Sequence, residues 1–148
     1  MRYAIIAALI AAPTFALAES AAEKTVEARQ GYFSLIGANM GVFAAMAKGE
    51  RDYDAAAAQT AADNIVLLST YNAGHLFAPE TSSLDLDNTR ALPDIWEDMA
   101  GFQAKAGDFA KAAQAMQAVA GAGKGDMAGA LGPLGGTCKA CHDAYRAD

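Results

Sequence analysis

Apolar residues recur along this chain at alternating intervals of three and four, and four segments carry that rhythm. Over residues 21–48 the stripe is Val26, Phe33, Ile36, Met40, Phe43 and Ala47. Over 53–75 it is Ala58, Ala61, Ile65 and Leu68, with Leu76 just beyond. Residues 93–119 give the cleanest stripe: Ile95, Met99, Phe102, Ala106, Phe109, Ala113 and Met116, continued by Ala120. Residues 126–146 continue it with Met127, Leu131, Leu134, Cys138, Cys141 and Tyr145. This spacing places the apolar side chains on one face of a helix, as in a bundle seam. Ala, Glu, Lys, Gln and Met dominate, and no long β-branched alternation argues for strands.

The connections set the topology. Residues 49–52 form a short polar link and 121–125 a glycine-rich one. Residues 79–93 are longer, with the turn-forming Thr81, Ser82, Ser83, Asp85, Asp87 and Asn88. Short links make neighbouring helices antiparallel, so the pattern predicts an all-α antiparallel four-helix bundle. One local conflict stands out. Gly132-Pro133 falls inside the fourth segment, and proline removes a backbone hydrogen bond in a helix interior. A kink or break near residues 129–132 is expected.

The chain has 148 residues. Its start departs from the helical pattern: Met1-Arg2-Tyr3, an apolar run over 4–12 and then Ala16-Leu17-Ala18. A basic start, a short apolar core and a small-x-small ending predict a secretory signal peptide at 1–18. The apolar run is short of the ~20 residues a spanning helix needs, which disfavours a membrane anchor. The mature domain would then be 19–148, of a size that buries a core without disulfide staples. The formal net charge is −6, and loss of Arg2 makes the mature chain more acidic. That balance argues against nucleic acid as a partner.

The chemistry gathers near the C-terminus, at Cys138-Lys139-Ala140-Cys141-His142. Two cysteines three apart with a histidine following are the attachment pattern of a c-type haem. The thiols add to the haem vinyl groups and the imidazole ligates iron. On a helix, positions 138, 141 and 142 share one face. A zinc site would need about four ligands, and the only candidates are Cys138, Cys141, His142 and the distant His75. A thioredoxin-type pair normally follows a strand. A disulfide across so short a loop would add little. Only six residues follow His142, so a sixth iron ligand must come from an upstream helix.

Arg29 shares the stripe of Val26, Phe33 and Ile36. A seam arginine needs a buried anion or an exit to water. Haem propionates would supply the anion; the alternative is that Arg29 snorkels out at the bundle end. Phe33, one turn on, would lie over or near the haem and can neither ligate iron nor donate a hydrogen bond. The candidate ligands are Met40, Met46, Met99, Met116, Met127 and His75. Methionines at helical spacing are more often core, and His75 is expected to be exposed. Five-coordinate iron with an apolar, crowded sixth side is therefore expected.

These residues resemble a known family, cytochrome c′, over nearly the whole mature chain. The resemblance is sharpest at residues 138–146, at Ala28-Arg29-Gln30-Gly31-Tyr32-Phe33 and at Pro93-Asp94-Ile95-Trp96. It is similar in particular to members with phenylalanine over the iron. The resemblance implies one covalent haem c, high-spin iron, a periplasmic location and binding of nitric oxide and carbon monoxide rather than oxygen. It implies thioethers from Cys138 and Cys141, His142 as axial ligand, Phe33 as the distal residue, Arg29 and Gln30 at the haem edge and Arg146 near the proximal face. Low-spin relatives place a ligating methionine where Phe33 stands. Thr89 is the edge contact expected from the loop, Arg90 standing where some members have an acidic residue. A homodimer through the first two helices is also implied. The expected role is nitric oxide capture without enzymatic turnover. The alternative is an electron carrier served by a periplasmic donor, which needs a ligating methionine such as Met40. A peroxidase would need an acid-base group over the iron, and only His75 is available.

Overall fold

The computed structural model describes residues 20–148. The expected signal peptide lies outside them. Helix α1 spans Ala21–Lys48, α2 Ala55–Thr70, α3 Asp94–Glu97, α4 Met99–Val119 and α5 Lys124–Tyr145, with a 3-10 turn at Ala73–Leu76. The long helices α1, α2, α4 and α5 form a closed ring in which each packs on the next and α5 returns to α1. This is the expected antiparallel four-helix bundle. None of its described helices is long and apolar enough to cross a membrane.

Local chemistry explains most of the boundaries. Ser20 and Glu23 close a reciprocal capping box at the start of α1. Gly49 ends that helix at φ +77°, a left-handed conformation that favours glycine. Asp54 caps α2 by accepting from Ala57 N–H at 3.0 Å.

Three expectations about the helices need correction. The second helix stops at Thr70 rather than running to residue 75. Asn72 accepts from Gly74 N–H and starts a separate 3-10 turn there. The third segment is two helices. Asp98 adopts φ −124° and ψ 59°, and its carboxylate caps α4 by accepting from Gly101 N–H at 2.9 Å. The fourth helix passes through Pro133 without the expected break. Pro133 and Gly129 are both exposed, so the Gly129 carbonyl that loses its partner faces water.

The core occupies the end of the bundle remote from the haem motif. Phe43, Met46, Ile65, Met116, Met127 and Leu134 are fully buried there, with five alanines of α2 and α4 or its end between them. Small side chains let the helices approach, and the larger ones fill the space left. Tyr53 Oη donates to the Ala120 carbonyl at 2.8 Å and ties the start of α2 to the end of α4. Met46, Met116 and Met127 are therefore core residues and unavailable as iron ligands.

Candidate haem site

At the other end the helices part around a cavity with two lobes. One measures 670 Å³ and the other 600 Å³, and Phe33, Phe77, Phe102, Cys141 and His142 border both. The combined space is on the scale that holds a drug-sized or larger ligand. The lobes differ in chemistry. Arg29, Gln30, Asn88, Thr89, Arg90 and Arg146 line the first. Ile36, Met40, Met99, Ala106, Phe109 and Cys138 line the second. An apolar body with a cationic, amide-rich edge suits a porphyrin that carries carboxylates on one side.

The last turns of α5 present the thiols and the imidazole. Cys138 and Cys141 are half-buried free thiols, and burial pushes both above the ordinary thiol range. Cys138 Sγ lies 3.7 Å from the Leu134 carbonyl, one turn back. His142 is exposed on the same helix and borders both lobes. The donor set fits a covalently attached haem: two thiols one turn apart, an adjacent imidazole and a cavity in front of them. Among the described residues no cluster of three or more His, Cys, Asp or Glu could hold a bare metal ion.

Arg29 is 4% exposed, so it does not snorkel to water. Its Nη1 donates to the Leu76 carbonyl at 3.2 Å and to Thr81 Oγ1 at 3.0 Å. Its Nη2 donates to the Thr81 carbonyl at 2.7 Å and to Thr89 Oγ1 at 2.9 Å. The guanidinium also stands 5.4 Å from the centre of the Phe77 ring. Burial pushes its pKa below the ordinary arginine value, yet an arginine stays charged in a protein. All four acceptors are neutral. A buried cation on a cavity wall with only neutral partners is a favourable place for an anionic group.

The remaining expected residues fall as follows. Gln30 Nε2 donates to the Asn88 carbonyl at 2.6 Å. Thr89 is half-buried at the first lobe, where it accepts from Arg29. Arg146 is exposed at the same lobe, and its residue bridges Ala91 of the loop. Phe33 is 43% exposed, with its ring edge-on to Tyr32 at 5.2 Å. His75 is exposed, borders neither lobe and lies against Tyr71 and the Asn72 carbonyl. Among the described residues, Met40 and Met99 are the methionines that reach the cavity.

Sequence reasoning missed Phe77 and the buried Thr81. Phe77 packs edge-on to Phe102 at 4.8 Å, and Phe102 edge-on to Tyr145 at 5.4 Å. Phe102 and Tyr145 stood on helical stripes, whereas Phe77 follows a 3-10 turn that no periodicity marks. Its one local signal is a large apolar side chain just before Pro79.

Comparison with known proteins agrees with this geometry. The profile of the Cytochrome C' family matches residues 24–146. A cytochrome c′ of Cereibacter sphaeroides is 49% identical, the match covering 99% of this chain and 98% of that one. The solved cytochrome c′ from "Rhodobacter Spheriodes" superposes with a TM-score of 0.84 at 50% identity, covering 87% of this chain and 99% of the other. A nitric oxide complex of a variant cytochrome c prime from Alcaligenes xylosoxidans superposes with a TM-score of 0.74 at 32% identity, covering 86% and 97%. The family binds haem c covalently through cysteines, and this chain offers two, Cys138 and Cys141. By profile, identity and fold, the chain belongs to the cytochrome c′ family.

Proposed function

We propose that Cys138 and Cys141 hold one haem c by thioether bonds, that His142 is the axial ligand, and that the iron's other face receives a diatomic gas. In this reading the protein captures nitric oxide in the periplasm and also binds carbon monoxide. The observation that carries it is Phe33. It is the α1 side chain that borders both lobes together with His142, and it can neither ligate iron nor donate a hydrogen bond.

The haem supplies the iron to which the gas binds. The chain's own residues do the rest. Arg29, held by Thr81 and Thr89, offers a fixed cation to a propionate, while Gln30 and Arg146 border the same edge. Phe33, Phe77 and Phe102 keep the body of the cavity apolar. Phe33 offers bound oxygen no hydrogen bond, so oxygen gains little from it, whereas nitric oxide and carbon monoxide need less polar help. The nitric oxide complex of the Alcaligenes xylosoxidans relative supports the choice of ligand.

The basic, apolar and small-residue pattern of residues 1–18 supports export. A homodimer through α1 and α2 is supported by Leu35 and Leu67, which are 57% and 70% exposed on those helices. The electron-carrier alternative requires Met40 or Met99, the methionines at the cavity, to reach the iron. Absorption spectra of the oxidised, reduced and nitric oxide-treated protein test the proposal. High-spin spectra with a stable nitric oxide adduct are expected; a methionine–iron band in the oxidised protein would overturn it.

A further inference from the structure

The final turn of α5 carries His142 and is pinned from two sides. On one side the loop at 90–92 holds its backbone. Leu92 N–H donates to the Tyr145 carbonyl at 3.0 Å, and Ala147 N–H donates to the Arg90 carbonyl at 2.8 Å. On the other side Tyr145, one turn after His142, donates its hydroxyl to Asp98 Oδ2 at 3.0 Å. Asp98 stands at the joint between α3 and α4, and its other oxygen caps α4 through Gly101 N–H.

A side chain on Gly101 would have to displace both partners of this contact. A Cβ there would overlap the Asp98 carboxylate and lie 2.6 Å from Tyr145 Oη. The Tyr145 ring is buried, borders the first lobe beside His142 and abuts Phe102 edge-on. The carboxylate therefore reaches the cavity wall through one rigid aromatic ring.

We propose that Asp98 is a positioning residue for the axial histidine: through Tyr145 it fixes the orientation of the α5 turn that presents His142 to the haem iron. The inference rests on His142 being the axial ligand. Asp98 itself touches no cofactor. Its effect is to remove the rotation and fraying open to a helix end, where the last carbonyls lack helical partners. The imidazole would then be presented to the cavity in one orientation. Gly101 is what allows the carboxylate to serve the cap and the tyrosine together.

The test uses the purified holoprotein and two substitutions. Tyr145→Phe removes the hydroxyl and keeps the ring and the α4 cap. Asp98→Asn keeps a good capping side chain and removes the charged acceptor. The readouts are the iron–histidine stretching band of the reduced protein and amide hydrogen exchange at Arg146 and Ala147. Both variants should shift or broaden the band. Both should speed exchange at those two amides by about fivefold, the scale of one lost hydrogen bond. The double variant should match either single one, since one interaction is lost only once. An unmoved band with lowered thermal stability would leave Asp98 a merely structural cap and overturn the inference. If the unmodified protein gives no iron–histidine band at all, the ligand assignment fails first, which separates the two failures.

Discussion

The two ends of the bundle are built from the same four helices and obey opposite rules. At the sealed end, α1 and α2 meet α4 and α5 through alanines, with Phe43, Met46, Ile65, Met116 and Leu134 fully buried among them. At the open end the same helices diverge around aromatic rings, a buried arginine and a two-lobed cavity. Close packing makes the first end costly to alter. The second end gives up that packing for a wall that a flat prosthetic group can complete. The apolar core and the proposed haem site thus lie at opposite ends of one bundle.

The sharpest way to break this comparison is at the open end's covalent link. Replacing both Cys138 and Cys141 by alanine should abolish haem attachment, measured by intact mass and by haem absorbance after denaturation. Retention of covalent haem would remove the basis of the site.

Next in size is the sealed end. Phe43→Ala should cost about 3–5 kcal/mol in denaturant unfolding, since its side chain is fully buried. Phe33→Ala, at a side chain 43% exposed, should cost roughly 1 kcal/mol or less. Equal costs would erase the division between the ends.

Arg29→Leu should follow, at about 2–3 kcal/mol, because the Leu76 and Thr81 carbonyls lose a charged donor. It should also shift the haem reduction potential if the guanidinium faces a propionate. Lysine should not rescue it, since one ammonium cannot span four acceptors on three residues. An unchanged potential would make Arg29 a loop latch only.

Phe33→Ala should speed carbon monoxide binding several-fold by opening the distal side, in stopped-flow measurement. Unchanged kinetics would show that Phe33 is not the gate.

The smallest effect concerns pH. The Gly101 amide first, and then the Tyr145 hydroxyl, hold the Asp98 carboxyl below the ordinary carboxylate range. A carboxyl lowered on folding stabilises the fold above its unfolded pKa, and that contribution disappears as pH falls through the folded value. The gap in thermal midpoint between the unmodified protein and Asp98→Asn should therefore narrow on acidification below the ordinary carboxylate range. A gap that widens would contradict the assignment.

How far each end could be read from sequence also differs. The sealed end follows largely from periodicity: the stripes contain Phe43, Ile65, Met116, Met127 and Leu134, whereas the fully buried Met46 falls beside its helix's stripe, next to Ala47. The motif at 138–142 was equally plain, because its chemistry is local. Arg29 was conspicuous as a charge on an apolar stripe. What it binds was not, since Thr81 and Thr89 lie 52 and 60 residues away in an irregular loop. The apolar rhythm runs unbroken across Asp98, so it concealed the joint between α3 and α4. Propensity overstated Pro133, because exposure of the Gly129 carbonyl is a tertiary fact. Periodicity reports which face is buried; it does not report where a helix pauses.

The most direct test of the account is the spectroscopy of the oxidised holoprotein before and after reduction with nitric oxide present. Five-coordinate, high-spin iron that becomes a stable nitric oxide adduct is the predicted result. Six-coordinate, low-spin iron with a methionine ligand, unreactive toward nitric oxide, would contradict it.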